Sequence, residues 1–407
     1  MSALTAETAP YLEAFRARGG SGEPAWLAER RRVAAERFEE LGFPTRRQEQ
    51  WRFTNLAPLT RSAFPPRGVE GRMRIELAGE PPRGVWLGSV QEALRERPEL
   101  LRAALDETEI AGAQAFALLN AALFDDGYIL ALEPGIELEH PVEIVHRGEG
   151  GGSFHPRSAI LLGERSSATV VDTFQGSGTS WTNWVSTARL AANAHLRHVM
   201  MQESGPEAIQ IGLARAALAS GAHYENFVLT LGARLSRIDI HAAIEGEGAR
   251  CGLGGATLLR DSQEATIATL VDHAAPGGET REIFKSVVDG RAHGVFLGKI
   301  AVRPGADKTD ANQVSRNLLL SPRAAVDTKP ELEILADDVK CSHGATVGDL
   351  DANALFYLRA RGIDEGAARA LLIEAFAADA IDGALPAGPI RDRLRDRLSA
   401  WLEQRGS

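Results

Sequence analysis

The 407-residue chain has few cysteines and no long apolar run. Its two cysteines, Cys251 and Cys341, lie far apart and neither belongs to a CxxC motif, which excludes a disulfide scaffold and predicts free thiols in a reducing compartment. No apolar run approaches the roughly 18 to 20 residues that span a bilayer, and residues 1–20 lack the basic start and apolar centre of a signal peptide. We therefore expect a cytoplasmic protein.

The sequence also lacks an excess of positive charge. It contains 45 Lys and Arg against 55 Asp and Glu, a formal net charge of −10, which opposes binding to phosphate backbones and anionic lipid surfaces. Neither nucleic acid nor a membrane is expected as a partner. The few lysines fall in one stretch of the chain: Lys285, Lys299, Lys308, Lys329 and Lys340. Either a coding bias towards arginine or a local need for ammonium groups explains this pattern.

Nucleotide-binding and zinc-protease motifs are missing. Residues 294–300 end in Gly-Lys-Ile, which is too short for a phosphate-binding loop and has no hydroxyl after the lysine. Residues 246–251 fall one glycine short of GxGxxG and lie among strand-like segments. His195 and His198 lack the glutamate and the helical setting of a zinc protease, so we interpret them as surface or core residues. The sequence predicts a chain that does not hydrolyse ATP by itself and has no catalytic residue.

Three regions differ in their hydrophobic periodicity. Apolar residues recur at helical intervals through much of the first hundred residues, including a helix predicted over 92–105. From about 127 to 345 the pattern changes to short runs with period-two alternation, and no helix-length segment intervenes. Beyond 348 the helical period returns in three segments. These changes predict a helical domain over 1–126, a β domain over 127–348 and a helical domain over 349–407.

Many runs in the β region follow a small residue and an alanine, as in Ser167-Ala168 and Gly248-Ala249. Recurrent small corners between short strands are what a coiled parallel sheet requires. The predicted fold is therefore mainly β, with a right-handed parallel β-helix core flanked by N-terminal and C-terminal α-helical domains. A β-sandwich or jelly roll also contains many short strands and is the alternative.

The clearest chemical signal lies in the segment that begins at Val339 and reads Val-Lys-Cys-Ser-His-Gly-Ala. In a strand, Val339, Cys341 and His343 share one face, while Lys340 and Ser342 take the other. The shared face belongs either to a core or to a buried interface. Thiolate and imidazole are ligands for iron and zinc, but two ligands leave a site incomplete unless another chain or a substrate completes it. On this basis Cys341 and His343 either pack in a core or take part in thiol or metal chemistry, and both alternatives stay open.

Several ordered blocks of the sequence resemble one known family. They are 308–313, 316–321, 327–334, 337–348 and 355–363. These blocks resemble the SufB/SufD family of the Suf iron-sulfur cluster assembly system. The resemblance is strong over roughly 290–380. It is looser at 51–54, 116–121 and 126–127.

Within that family, the Lys-Cys-Ser-His-Gly-Ala-Thr block at 340–346 is similar to the SufD branch, because SufB is expected to carry a glutamate-containing block there. SufB also carries a cluster-related cysteine just before the Leu-Leu run, where this chain has Ser-Arg-Asn at 315–317. The resemblance therefore implies that nucleating cluster chemistry depends on a partner chain.

The resemblance implies a scaffold subunit with two protein partners. Its β-helix pairs with SufB through the C-terminal end, and its C-terminal helices dock the SufC ATPase. ATP-driven SufC dimerisation would then strain the seam with SufB and expose the cysteine and histidine to iron and sulfide. In the absence of SufB, the isolated chain could instead pair with a second copy of itself. The resemblance implies that the complex holds an iron-sulfur cluster transiently. Whether the complex also binds a reduced flavin stays open.

The residues that the resemblance assigns to cluster assembly and the interface fall in the lysine-containing stretch. They are Lys308, Asp310, Asn312, Gln313, Asn317, Lys329, Lys340, Cys341 and His343. Cys341 and His343 are the candidate metal ligands. The blocks at 308–313 and 327–333 are expected between strands, where loops carry recognition.

The helix predicted over 364–381 carries an apolar stripe that needs an apolar cover. Part of this stripe must pack against neighbouring helices. The resemblance adds that the unit receives SufC, and we expect Leu371, Leu372 and Phe376 to form the docking surface. Because the chain has no phosphate-binding loop, the energy of ATP has to arrive from such a partner.

Two other functions compete with this one. The first is a structural β-helix homodimer without cluster chemistry. The second is a β-helix polysaccharide-active enzyme that uses carboxylates such as Asp310, Asp327 and Asp337. An enzyme of that class is disfavoured because aromatic residues are sparse and no export signal is found.

Overall fold

The computed structural model describes residues 7–19, 22–62, 64–66, 73–105 and 115–404. The predicted domains 1–126 and 349–407 each include residues outside this set. The described helices are α1 (Ala9–Arg18), α2 (Ala25–Leu41), α3 (Ala57–Thr60), α4 (Val90–Glu96), α5 (Pro98–Leu105), α6 (Ala115–Leu123), α7 (Ala352–Arg359), α8 (Glu365–Ala384) and α9 (Pro389–Glu403), with a 3-10 turn at Glu49–Trp51.

The described strands are β1 (Met73–Glu76), β2 (Val85–Ser89), β3 (Tyr128–Leu132), β4 (Val142–Glu149), β5 (Ser153–Phe154), β6 (Arg157–Leu162), β7 (Ser167–Ser177), β8 (Trp181–Leu190), β9 (His195–Gln202), β10 (Ile209–Leu218), β11 (His223–Thr230), β12 (Leu235–Ile244), β13 (Arg250–Leu259), β14 (Glu264–His273), β15 (Glu279–Val288), β16 (His293–Val302), β17 (Asp310–Leu319), β18 (Ala325–Ile334) and β19 (Lys340–Gly348).

The strands form a parallel solenoid of about eight turns. From β6 onward, consecutive strands alternate between two sheets, one ordered β1-β4-β7-β9-β11-β13-β15-β17-β19 and the other β18-β16-β14-β12-β10-β8-β6-β3-β2. The prediction of a mainly β fold with a parallel β-helix between helical segments is confirmed. The β-sandwich alternative is wrong, because neighbouring strands are parallel and one turn apart rather than antiparallel partners.

Alternate side chains of each strand point into the solenoid. In β12, Ile238, Ile240 and Ala242 are buried in the interior, whereas Arg237 and Asp239 form an ion pair of 2.9 Å on the outer face. This period-two burial is the reason that the alternating runs predicted strands. The apolar interior between the two sheets is the largest core of the protein.

The corners of the solenoid use small residues, as the sequence predicts. Gly221 and Gly248 adopt the left-handed conformation, with φ of 66° and 68°, which costs glycine little. The alanines that follow them, Ala222 and Ala249, are fully buried where the chain turns into the next strand. A larger side chain at either alanine would have to displace the neighbouring turns.

The N-terminal end of the solenoid is closed by antiparallel strands. β1 pairs with β4 and β2 pairs with β3, each in the opposite direction to its neighbour. These two strands lie in the stretch that the sequence pattern predicts to be helical. The predicted helix over 92–105 is two helices, because Pro98 begins α5 and its ring disfavours helical backbone at Arg97.

A polar cluster is buried inside the solenoid near this closed end. The carboxylate of Asp172 accepts hydrogen bonds from His146 and His198, both at 2.7 Å, and from the hydroxyl of Tyr128 at 2.8 Å. Burial alone would raise the pKa of Asp172, but the hydrogen bonds and charges of the two imidazoles outweigh it and hold this pKa well below its usual range. The interior therefore tolerates a carboxylate here because three donors satisfy it.

Helices cover the outer faces of both sheets. Tyr11 and Phe116 pack on Trp181 of the ten-stranded sheet, with ring centroids 5.4 Å and 6.0 Å away. On the nine-stranded sheet, α8 and α9 bury Val199 and Phe227. Among the described residues, none of the helices has the length and apolarity needed to cross a membrane.

Helix α8 is fixed at its start and along its length. Asp364 caps the N-terminus, since its carboxylate accepts the backbone N–H of Gly366 at 2.8 Å. The ammonium of buried Lys285 donates to the backbone oxygen of Phe376 at 3.0 Å and pairs with Asp379. These contacts attach α8 to the outer face of β15.

The C-terminal end of the solenoid is open. β18 and β19 are the terminal strands of their sheets, and no described strand pairs with their outer edges. Apolar side chains are exposed in this region, with Leu335 56% and Val347 46% exposed. An uncovered strand edge flanked by apolar side chains is a template for association with another chain.

Candidate functional site at the open end of the solenoid

Cys341 and His343 lie on the inward face of β19, the last strand of its sheet. In register, Cys341 lies beside Ala311 and His343 beside Gln313, and both neighbours on β17 are buried in the interior. The arrangement confirms that the thiol and imidazole share a face. That face is an interior surface left uncovered because no further turn follows it among the described residues.

The two candidate ligands differ in exposure. Cys341 is half-buried against Val339 and Ala311, whereas His343 is exposed. Burial raises the pKa of the Cys341 thiol, although a hydrogen bond with the backbone of Ala311 opposes this effect. In the isolated chain the thiol is therefore protonated at neutral pH, and a metal or a cationic group must approach before it becomes a ligand.

A column of interior polar residues runs inward from His343. Behind it, the side-chain amide of Gln313 donates to the carboxyl of Glu282 at 3.0 Å, and the hydroxyl of Thr269 donates to the same oxygen at 2.8 Å. Burial raises the pKa of Glu282 to about 7, although these two hydrogen bonds oppose the shift. The carboxyl of Glu282, which can accept a proton near neutral pH, therefore lies in the interior two strands away from the exposed imidazole of His343. Sequence reasoning did not single out Glu282, because its polarity interrupts the strand pattern without forming a motif.

Other predicted residues lie on the outward face of β17 and β19. The carboxylate of Asp310 pairs with Arg281 at 2.9 Å, and it lies in register with exposed Lys340. The amide of Asn312 donates to the hydroxyl of Ser342 at 2.8 Å. These side chains form a polar rim beside the open edge.

Lys308 and Asn317 lie at opposite ends of this region. Lys308 precedes β17 in a left-handed turn with φ of 60°, and its backbone N–H donates to the oxygen of Asp338 at 2.6 Å. Asn317 is buried, and its amide donates to the backbone oxygen of Thr346 at 3.0 Å. Both residues hold the final turn of the solenoid in place.

Lys329 lies apart from the two candidate metal ligands. It is on the outward face of β18, where its ammonium pairs with Glu49 at 2.5 Å and Glu331 at 3.3 Å. There it lines a cleft of about 1410 Å³ on the outer face of the ten-stranded sheet, together with Arg237 and Lys299. The structure therefore does not bring Lys329 to the surface that carries the thiol and imidazole.

The expectation that the two polar blocks fall between strands is wrong for residues 310–313, which lie within β17, and for residues 327–333, which lie within β18. Only Lys308 and Thr309 of these blocks lie between strands. Their strand pattern is weak because the inward positions of β17 are taken by Gln313, Ser315 and Asn317, which are polar yet buried. The polar residues that suggested loops therefore include side chains buried inside the last turns of the solenoid.

The three residues predicted to dock an ATPase face different surroundings. Leu371 is 48% exposed and Leu372 is half-buried, whereas Phe376 packs against β15 with the Lys285 ammonium 4.7 Å from its ring centre. Phe376 is half-buried, with part of its ring against the solenoid. Of the three, Leu371 is the exposed one.

Helix α7 adds an apolar surface that sequence reasoning missed. Phe356 is 75% exposed, Tyr357 is also exposed, and none of the helix residues is buried. Four large apolar residues in a row, from Leu355 to Leu358, extend most of the way round a helix and cannot all face one core, and this signal was available in the sequence. Together with Leu371, these side chains form what we call the α7–α8 surface.

The carboxylates considered for a polysaccharide-active enzyme do not converge. Asp310 pairs with Arg281 on one sheet, and Asp327 pairs with His293 at 2.7 Å on the other. Asp337 is exposed in the turn between β18 and β19. Such enzymes need two carboxyl groups on either side of one bond, and this arrangement does not provide them.

Comparison with known proteins identifies the family of the chain. Residues 144–376 match the family described as SUF system FeS cluster assembly, SufBD core domain. The chain belongs to the SufB/SufD family. It is therefore a SufBD-type component of iron-sulfur cluster assembly, and the predicted resemblance is confirmed.

Full-length relatives of the SufB/SufD family support this assignment. The chain is 30% identical to the iron-sulfur cluster assembly protein SufD of Escherichia coli, over 89% of this chain and 89% of that protein. It is 29% identical to a SufBD family protein of Synechocystis, over 93% and 91%. It is 28% identical to the chloroplastic protein ABCI7 of Arabidopsis thaliana, over 91% and 85%.

Proposed function

We propose that this chain is a SufD-like scaffold subunit that pairs with SufB through the open end of its solenoid. The observation that carries the proposal is the uncovered final turn, where Cys341 and His343 point inward and no further turn of the solenoid follows among the described residues. A second solenoid whose last strands met β18 and β19 would continue both sheets. The thiol and imidazole would then lie in the seam between the two chains.

In this arrangement the iron-sulfur cluster is the cargo rather than a resident cofactor. Cys341 and His343 supply one sulfur and one nitrogen donor, which is half of a four-coordinate set. The partner or the incoming cargo must supply the rest. Because the pKa of the Cys341 thiol is raised, loading is favoured only when the seam brings a metal or a cation close to the sulfur.

The α7–α8 surface is the proposed docking site for SufC. Phe356, Tyr357 and Leu371 are exposed apolar side chains, and helix α8, which carries Leu371, packs against the solenoid. The chain has no phosphate-binding loop of its own, so we infer that it acts as a scaffold and receives ATP-driven motion through this surface. Its cytoplasmic location and a reduced flavin in the complex stay predictions.

The pairing and cluster steps are tested by co-expressing the chain with SufB and SufC and measuring cluster content by anaerobic absorption spectroscopy. We expect His343→Ala to lower the cluster yield by roughly tenfold or more, with the complex intact. Cys341→Ser should have a milder effect, because the thiol of SufB supplies the main sulfur ligand in this proposal. His140→Ala, which removes an exposed imidazole before β4 near the closed end, is the matched control. A wild-type yield from an assembled His343→Ala complex would contradict the proposed role.

SufC docking is better tested by point variants than by deletion. Removing residues 350–407 would expose Val199 and Phe227, which α8 and α9 now cover. We expect the double variant Phe356→Ser with Leu371→Ser to lose SufC in a pull-down without SufB while keeping the wild-type melting temperature. Retention of SufC at full stoichiometry by this variant would place the docking site elsewhere.

A further inference from the structure

Three potential metal ligands converge on the outer face of the nine-stranded sheet, away from the open end. His195 begins β9 and His223 begins β11, and the two residues lie side by side in register. Glu225 follows two residues after His223 and so points to the same face. The parallel solenoid therefore places two imidazoles and one carboxylate together although the sequence separates them.

The geometry of this trio fits a single ion. The Nε2 atom of His195 lies 3.2 Å from the Oε2 atom of Glu225, and the Nε2 atom of His223 lies 3.7 Å from Oε1. One ligand atom from each residue lies within 4.8 Å of the others. An ion about 2.0 to 2.2 Å from each donor fits within that spacing. The imidazole rings are stacked face to face with centroids 4.6 Å apart, so one ring has to rotate about its side-chain bonds before both nitrogens can face the same ion.

Two neighbouring arginines oppose a cation at this position. The guanidinium of Arg197 lies 2.7 Å from the Oε2 atom of Glu225 and occupies part of the carboxylate. Arg250 follows His223 in register on the next strand and adds positive charge. Oε1 is the oxygen nearer to His223, so an ion can share the carboxylate with Arg197, but its affinity should be lowered by the two arginines.

We propose that His195, His223 and Glu225 form a binding site for a divalent first-row transition-metal ion. Two imidazoles and one carboxylate are a donor set that suits Fe²⁺ and Zn²⁺ and leaves coordination positions open to water or another ligand. The site lies on β9 and β11, which are five and four strands from β19 in the same sheet, so β11 is about 19 Å from β19 along the solenoid. It faces outward, whereas Cys341 and His343 face inward, so the proposal stands independently of the cluster-assembly role.

The test uses the full chain carrying Cys341→Ser and His343→Ala as the parent, so that the open end cannot contribute ligands. Co²⁺ alone is titrated anaerobically and followed by its d–d absorption, and Zn²⁺ binding is measured by calorimetry. We expect one saturable equivalent in the parent. His223→Ala in the parent should weaken binding by about tenfold or more, and Glu225→Gln is the second ligand variant. His293→Ala, which removes an outer-face imidazole from the other sheet, is the control and should leave binding unchanged.

Arg197→Gln separates a metal site from a hydrogen-bonded cluster. It removes the competing cation and frees Oε2, so it should tighten Co²⁺ binding about three- to tenfold. A structural cluster without a metal role would show no such gain. The proposal is overturned if the parent shows no saturable Co²⁺ binding, or if the ligand variants and Arg197→Gln all bind as the parent does. Cluster assembly is not measured, so failure here leaves the proposed scaffold role unaffected.

Discussion

At the N-terminal end of the solenoid, β1 and β2 close the sheets with antiparallel strands, whereas at the C-terminal end β18 and β19 leave both edges uncovered. Polar groups lie in the interior near both ends. Near the closed end, Asp172 is surrounded by three hydrogen-bond donors and is fully buried. At the open end, His343 has the same inward orientation but is exposed.

The difference shows that an inward polar side chain has two distinct uses in one architecture. Where further turns cover it, the polar group must be satisfied within the chain and contributes to stability. Where the last turn is uncovered, its remaining bonding capacity is available to another chain or to cargo. Substitutions near the closed end should therefore change stability first, and those at the open end should change association and assembly first.

The largest expected effect is that of Asp172→Ala. It leaves His146, His198 and Tyr128 buried without their shared acceptor, so the free energy of unfolding should fall by about 3–5 kcal/mol. Urea unfolding followed by circular dichroism measures this loss. Asp327→Ala removes a half-exposed pair with His293 and should cost less than about 1 kcal/mol. Equal losses in the two variants would show that the buried cluster has no special role.

A second expected effect depends on pH and involves Glu282. Its pKa of about 7 in the folded chain lies above the ordinary value of 4.5, so folding favours the protonated carboxyl. The free energy of unfolding should therefore fall as the pH rises from about 4.5 to about 7, by up to about 1.4 kcal/mol per pH unit, and then level off.

Glu282→Gln keeps an oxygen that accepts from Thr269 and Gln313 but cannot ionise. Urea unfolding at several pH values should show a smaller decline for this variant than for the wild type. Parallel curves for the two proteins would mean that Glu282 does not titrate in this range.

The regular part of the fold could be predicted because each turn repeats the same local pattern of alternating strands and small corners. The end strands could not be predicted in the same way. Met73–Glu76 is a short strand that forms only because β4 offers it an edge, and tertiary pairing of this kind leaves little trace in local periodicity. The sequence around this strand has a helical period, so the prediction assigned the whole region to helices.

The candidate site was predicted in part for a similar reason. Strand alternation alone places Cys341 and His343 on one face, so this feature follows from the sequence. Whether that face is covered depends on the existence of a further turn, which no local pattern specifies. The positions of Lys329 and Phe376 depend on contacts with distant segments, through Glu49 and Lys285 respectively, and were likewise beyond local inference.

A third expected effect concerns the open edge itself. Val347→Asp places a charge among the exposed apolar groups of β19, and it should raise the Kd for SufB by at least about tenfold, or about 1.4 kcal/mol. Surface plasmon resonance with immobilised SufB measures this change. Arg74→Asp, on the exposed face of β1 at the closed end, is the matched control. If both variants bind SufB equally well, pairing does not use the open end.

The smallest expected effect on stability is that of His343→Ala, and it is measured against Gln313→Ala, an inward residue one strand away. Gln313→Ala removes a hydrogen bond from buried Glu282, so it should lower the free energy of unfolding by about 1–3 kcal/mol. His343→Ala, beside it on β19, removes an exposed side chain and should change that energy by less than about 0.5 kcal/mol. Urea unfolding of the isolated chain compares the two directly. A loss for His343→Ala as large as that for Gln313→Ala would mean that contacts within the chain already stabilise the last turn. The open end would then not be a free surface for a partner.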